Sequence, residues 1–224
     1  MSSFFFSQHR SARPLLAATG LIGLAPAAAG CSGVRGTGST TTDSRTVAAF
    51  DRVEASSGID VVIAIGPAGP IEVRAQPNIV PLISTTVAGD TLTIRATDEI
   101  DDLASVTVVI SVPSLEAITL GGGYDGTVTS FAGDRLEVAV SGGGDLTATG
   151  TAGVVAIEAS GGADLHLAGL AVRTLDVEMS GGAELSARVS DDVRGSASGG
   201  ASVSVAGSAR INVQTSGGAH VGGS

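Results

Sequence analysis

Acidic side chains recur at nearly equal spacing in the second half of the chain, and they are the residues with the clearest potential for chemistry. Asp145, Asp164 and Glu184 each follow a glycine-rich corner. Carboxylate oxygens suit calcium, but the chain lacks the G-G-x-G-x-D spacing of calcium-binding repeats. An acidic face also keeps a β-protein with exposed strand edges soluble. We therefore predict a solvated acidic ladder on the surface and no metal or cofactor site.

The other residue types that could support catalysis do not form a recognisable set. His166 follows Asp164 by two positions on the same predicted face, whereas His220 lies far along the chain, and Cys31 is the only cysteine. No serine stands in a nucleophile elbow, and tight corners predict no cleft for the paired carboxylates of a glycosidase. The chain has no tryptophan and no lysine. We predict that the protein is not an enzyme, and a glycan-active β-helix enzyme is the less favoured alternative.

A Ser-Gly-Gly motif repeats along the second half of the chain and indicates how the acidic residues are positioned. A weaker copy, "LGGGYDGTV", begins at Leu120. The serines of the clear copies recur at almost constant spacing; they are Ser141, Ser160, Ser180, Ser198 and Ser216. Apolar and polar residues alternate on both sides of each motif, which is the pattern of strands with one buried face. Equivalent apolar positions after the corner hold Leu146, Leu165, Leu185, Val203 and Val221.

This spacing predicts an all-β fold, a single-stranded right-handed parallel β-helix (β-solenoid) with rungs of about 18–20 residues. Such short strands are not stable alone, but stacking at ~4.8 Å joins their apolar positions into continuous columns. We predict irregular first rungs and a cap at residues 46–120, followed by Ser-Gly-Gly rungs at 121–224. A separate N-terminal sandwich is an alternative for the first part.

The N-terminus predicts export and a lipid anchor. Residues 1–30 combine Arg10 and Arg13 with an apolar stretch and a small-residue cleavage zone, which is typical of a signal peptide. "AAGC", ending at Cys31, resembles a bacterial lipobox, so we predict lipidation of Cys31; cleavage after Ala29 by ordinary signal peptidase is the alternative. Residues 31–45 are rich in glycine, serine and threonine, which predicts a flexible tether.

The charge of the chain excludes one class of partner. The net charge is −10, and it falls to −12 once Arg10 and Arg13 leave with the predicted signal peptide. An acidic surface without lysine repels phosphate backbones. We therefore predict no binding to nucleic acid.

The segment "FDRVEASSGIDVVIAIGPAGPIEVRAQPNIVPLISTTVAGDTLTIRA", from Phe50 to Ala96, resembles the opening of the head GIN domain family, labelled an auto-transporter adhesin. The resemblance continues through "VTVVISVPSLEAITLGGG" and the Ser-Gly-Gly rungs, covering about residues 46–218. It implies an exported, all-β, solenoid-like domain, often lipid-anchored, in the bacterial envelope. It implies no catalytic residues.

Together these features predict a lipoprotein of the cell envelope, facing the periplasm or the surface, whose head has a binding, adhesion or structural role. The expected partners are the membrane, through lipidated Cys31, and an unidentified envelope protein or glycan. Self-assembly into a scaffold is the alternative, because the last rung, around Ser216–Val221, lacks a polar cap and could pair with another copy through the solenoid ends.

Overall fold

The structure is a computed structural model that describes residues 33–101 and 103–223, without the side chain of residue 104. These residues belong to one compact unit, Ser32–Ser224. The predicted signal peptide and Cys31 lie outside the described residues. The strands are β1 Thr41–Arg45, β2 Arg52–Ala55, β3 Asp60–Ile65, β4 Ile71–Ala75, β5 Ile83–Ala88, β6 Thr91–Ala96, β7 Thr107–Val112, β8 Ala117–Gly161, β9 Asp164–Gly181, β10 Glu184–Ala197, β11 Ser202–Ala206, β12 Arg210–Thr215 and β13 His220–Gly223.

Helical structure within the described ranges is limited to two short 3₁₀ turns, Val80–Leu82 and Leu103–Ser105. Neither has the length and apolarity that a membrane-spanning helix requires. The predicted all-β class is confirmed. Sequence alternation explains it, because period-two apolar positions bury one face of a strand, whereas no stretch has the 3.6-residue period of a helix.

The strands form one thirteen-stranded sheet, with the main order β1-β4-β7-β3-β8-β9-β10-β11-β13. Beyond β8 every pairing is parallel, including β10 with both β11 and β12. The first half also contributes parallel pairs, since β2 and β3 both pair with β8. Three pairs are antiparallel: β1 with β4, β4 with β7, and β5 with β6. Residues 46–116 therefore join the same sheet as the repeats.

The register between repeats is the one that the motif spacing predicts. Leu146 pairs with Leu165, and Leu165 with Leu185. The same column continues through Val203 and Val221. Leu146, Leu165 and Val203 have no exposed surface. Residues one repeat apart thus lie side by side, and we call each such unit a rung and residues 117–223 the repeat region.

The first glycine of each Ser-Gly-Gly motif forms a column through the repeat region. Gly161 and Gly181 pair directly and have φ values of +98° and +87°. A Cβ on Gly181 would lie 2.5 Å from the carbonyl oxygen of Gly161. That oxygen accepts a hydrogen bond from the Gly182 N–H at 2.7 Å. Glycine is required here because only a residue without a side chain allows both the dihedral angle and the close approach between rungs.

The prediction of a flexible tether at residues 31–45 is wrong for residues 41–45, which form β1 and pair antiparallel with β4. The Arg45 guanidinium donates to the carbonyl oxygens of Val80 and Ile83 at 2.9 and 2.6 Å, to the Thr85 hydroxyl at 3.1 Å, and to the Asp43 carboxylate at 2.8 Å. These bonds attach a polar segment that has little apolar surface of its own to bury.

Candidate functional site

The predicted acidic ladder is aligned as a column on the outer face of the repeat region. Asp145 pairs with Asp164, and Asp164 with Glu184. The column continues through Ser202 to His220. Asp145 and Glu184 are exposed, and Asp164 is partly exposed. The structure therefore brings together the three acidic residues that the sequence singled out, and it adds His220 at the end of the same column.

This column does not converge on a common point. Its members follow one another along the stack at strand spacing, ~4.8 Å, and His166 lies in the neighbouring column between Thr147 and Ser186. Within residues 33–101 and 103–223 no three His, Cys, Asp or Glu side chains are arranged to hold a metal ion. The arrangement supplies a line of negative charge on a solvated face.

A second acidic feature, which the sequence analysis did not single out, lies in a groove of about 480 Å³ on another face of the repeat region. We call it the serine–glutamate groove. Glu158 and Glu178, which are directly paired and exposed, line it. Val140, Ala159 and Met179 also line the groove, together with four of the motif serines: Ser141, Ser160, Ser180 and Ser198.

The polar groups of this groove are mostly free of protein partners. Ser198 donates to the Met179 carbonyl oxygen at 3.4 Å. Among the described residues, the side chains of Ser141, Ser160, Ser180, Glu158 and Glu178 form no hydrogen bond or ion pair. The alternation in the sequence places Glu158 and Glu178 outside, but it does not reveal that the surface is concave there.

An ion-pair network lies beside the groove, and its residues precede Glu158 in the chain. Glu137 accepts from Arg135 at 3.1 Å and from Arg52 at 3.4 Å, and Arg52 also contacts Glu116 at 3.4 Å. The hydrogen bond from Arg135 lowers the pKa of the Glu137 carboxyl; burial acts in the opposite direction, and Arg52 adds to the lowering. The carboxylate stays ionised, and its charge is compensated, unlike those of Glu158 and Glu178.

Tyr124 is the one aromatic residue near the start of the acidic ladder, and it is buried with 3% of its surface exposed. Its backbone lies against Gly144 of the next rung, where a Cβ would approach the Tyr124 nitrogen to 2.6 Å. The hydroxyl has no hydrogen-bond partner among the described residues. Burial, and secondly the charge of Asp145, raise the pKa of Tyr124 to about 12. The phenol is therefore neutral and packs as part of the core.

Comparison with known proteins identifies the family. Residues 49–209 match the family described as "Putative auto-transporter adhesin, head GIN domain". The chain belongs to this family. The description of the family is that of an adhesin. No curated protein matches the sequence.

Solved structures of similar shape come from Bacteroides and Parabacteroides. A "putative adhesin" from Bacteroides fragilis has a TM-score of 0.69 at 17% identity, covering 85% of this chain and all of that one. A "putative lipid binding protein" from Parabacteroides distasonis has a TM-score of 0.49 at 15% identity, covering 85% and 99% of the two chains. A "putative adhesin" from the same organism gives 0.48 at 18%, covering 84% and 99%. The first of these likenesses shows a shared fold.

The segment Gly58–Asp60 of this head GIN domain, "GID" in the sequence, has a structural role. Gly58 has φ of +74°, and a Cβ there would lie 2.5 Å from the Gly123 carbonyl oxygen. Ile59 is buried. The Asp60 carboxylate accepts from the Asp125 N–H at 2.9 Å, and burial raises the pKa of Asp60 more than this bond lowers it. The segment thus joins β3 to β8.

Proposed function

We propose that this protein is an exported lipoprotein of the bacterial cell envelope, anchored through Cys31, whose head is a β-solenoid that binds another envelope component. The anchor follows from the sequence of residues 1–31, and the head from the repeat region. The periplasm or the outer surface is the expected location. The head acts as a binding or adhesion module and carries out no chemical reaction.

The solenoid form is supported by the length and register of the strands. β8 contains 45 residues, which would span about 150 Å if straight. Positive-φ glycines interrupt it, among them Gly122 and Gly142, and such residues let a chain change direction. Both halves of β9 pair in parallel with residues of the previous and the next rung. A chain that coils back once in every rung accounts for this pattern.

The serine–glutamate groove is the observation that carries the binding role. It places hydroxyls and two unpaired carboxylates in line over several rungs, with apolar surface from Val140, Ala159 and Met179 between them. Free donors and acceptors at ~4.8 Å intervals suit an extended polar chain that repeats along its length, such as an envelope glycan or an extended segment of an envelope protein.

Binding to isolated envelope fractions tests this role. The double variant Glu158→Gln and Glu178→Gln is expected to lower retention of the purified head by cell-wall glycan or envelope proteins. The matched control is Asp145→Asn with Asp164→Asn, which removes the same charge from the acidic ladder on another face. Equal retention of wild type and the groove variant would contradict the proposed site. Digestion of the fraction by a glycosidase or a protease identifies which component binds.

Membrane fractionation tests the anchor. Cys31→Ala is expected to release the protein from membrane fractions, because the thioether to the lipid is lost and no other residue can replace it. Retention of this variant in the membrane would show that lipidation of Cys31 is not the anchor. The two tests are independent, since the head can bind its partner with or without the lipid.

A second candidate role is self-assembly through the C-terminal end of the sheet. β12 pairs only with β10, and β13 only with β11, so each leaves one edge unpaired among the described strands. Ile211 on β12 is 40% exposed, and the segment from Arg210 to Gly223 contains no acidic residue. An open strand edge with so little charge is prone to pair with another copy. Sedimentation over a range of concentrations tests this; a monomer at all of them excludes it.

A further inference from the structure

The arginines of this acidic protein are distributed unevenly between paired and unpaired positions. Within residues 33–101 and 103–223, most arginines contact a carboxylate; these are Arg35, Arg45, Arg52, Arg74, Arg135, Arg194 and Arg210. Arg95, Arg173 and Arg188 form no ion pair or hydrogen bond with described residues. Two of these three, Arg173 and Arg188, line the same groove.

This groove, which we call the arginine groove, lies on the outer face where β9 and β10 are neighbours. It has a volume of about 310 Å³. Val172 and Val189 are paired in register and are 3% and 1% exposed, so they belong to the core and lie beneath the groove. Arg173 follows Val172, and Arg188 precedes Val189, which places both arginines on the outward side of the sheet.

The two arginines are close enough to act on one ligand. Arg188 pairs with Ala171, two positions before Arg173. With neighbouring strands ~4.8 Å apart and a rise of ~3.3 Å per residue, their Cα atoms are about 8 Å apart. Each guanidinium sits on a long, flexible stem and carries five N–H donors in a planar fork. Both forks can therefore converge on one group in the groove.

The nearby polar groups leave these donors available. Ser208 donates to the Ser190 carbonyl oxygen at 3.0 Å, and Ser190 donates to the Asp191 carboxylate at 2.7 Å. Asp192 is bound by Arg210 at 3.0 Å. The two carboxylates beside the groove are thus occupied by other side chains. Arg173 and Arg188 have no such partner, although the chain carries 22 acidic residues against 12 arginines.

We propose that the arginine groove binds a phosphate group through Arg173 and Arg188. Two guanidinium forks match the several oxygens of a tetrahedral oxyanion better than a single cation does. The headgroup of an anionic lipid and a free phosphate compound both present these oxygens, so the source of the phosphate is one of these two. The site is separate from the serine–glutamate groove and does not depend on the role proposed for it.

Titration of the purified mature protein with inorganic phosphate, followed by backbone amide chemical shifts, is the first test. Wild type is expected to show saturable shifts around Val172 and Val189. Arg173→Gln with Arg188→Gln should weaken phosphate binding about tenfold or more, since charge-assisted bonds are lost. Arg35→Gln with Arg95→Gln is the control, because it removes the same charge elsewhere, and it should bind as wild type does.

Vesicle sedimentation of the Cys31→Ser protein distinguishes the two sources. A lipid headgroup is the source if the protein binds vesicles that contain phosphatidic acid but not vesicles of phosphatidylcholine alone, and if the arginine-groove variant loses this binding. Saturable phosphate binding without vesicle binding identifies a free phosphate compound. The proposal is overturned if wild type shows no saturable phosphate or vesicle binding, or if the arginine-groove variant binds no more weakly than the control does. Unchanged circular dichroism and Tm establish that both variants are folded.

Discussion

The two halves of this head GIN domain use different means to bury the same kind of strand. Residues 33–116 combine antiparallel and parallel pairs with turns of different lengths, and their core contains large side chains such as Ile63, Ile94 and Ile110. The repeat region has only parallel pairs after β8, a glycine column, and a core mainly of leucine, valine and alanine, with Tyr124 and Phe131 buried near its start. The first half is stabilised by contacts between unlike side chains, whereas the repeat region is stabilised by packing between equivalent residues of successive rungs.

This difference determines where each half is sensitive to substitution. In the repeat region a residue packs against its own equivalents, so a change in one rung alters the fit of the rungs before and after it. In the first half, a residue such as Arg45 bonds to atoms 35 to 40 positions away that have no counterpart elsewhere. The following predictions separate these two situations, and they run from the largest expected effect to the smallest.

Gly181→Ala should cause the largest loss, about 4 kcal/mol in the free energy of unfolding, because backbone strain at positive φ adds to a collision with the previous rung. Gly89, in the first half, also has a positive φ, +61°, but a Cβ there would meet open space. Gly89→Ala should therefore lower the free energy of unfolding only by the backbone strain, about 1 kcal/mol. Gly182→Ala, next to the column and 4.0 Å from the nearest atom, is the local control. Chemical denaturation measures all three.

Leu165→Ala should lower the free energy of unfolding by about 3 kcal/mol, because the side chain has no exposed surface and contacts leucines of both neighbouring rungs. Val221→Ala, at the other end of the same column and only partly buried, should cost less than about 1 kcal/mol. Equal losses at Leu165 and Val221 would contradict the expectation that the column is less stable at its C-terminal end.

Arg45→Ala should lower stability by about 2 kcal/mol through the loss of its charge-assisted bonds. The effect is expected to stay in the first half: amide hydrogen exchange should accelerate in β1 and β5 but not in β9. Arg74→Ala is the control, because among the described residues the Arg74 guanidinium bonds only to Glu72 on the same strand. Faster exchange in β9 would show that the two halves unfold together.

Tyr124→Phe, near the boundary between the halves, should change stability least, by no more than about 1 kcal/mol, because it removes a buried hydroxyl without a partner. The pKa of Tyr124 is raised from 10.0 to about 12. The unfolded chain therefore loses this proton first, so wild-type stability declines as the pH rises through that interval. The phenylalanine variant should lack this decline. Denaturation at about pH 8 and about pH 11 measures it.

Much of the repeat region could be predicted from the sequence because its rules are local. Alternation assigned Leu146 and Leu165 to the core, and the spacing of the motif aligned them, together with Asp145 and Asp164. The serine–glutamate groove could not be predicted, since the curvature that makes the surface around Glu158 concave is not encoded in any single rung. The position of β1 was missed for a related reason: its attachment depends on Arg45 reaching atoms of a distant turn.

The glycine column also determines how this protein can vary in length. An added segment of one whole rung would bring its own glycine, serine and aliphatic positions, and each would meet an equivalent neighbour on either side. A single inserted residue would instead turn every following side chain in that strand to the opposite face. Gene duplication of a complete rung is therefore the tolerated route by which the reach of the head can increase or decrease.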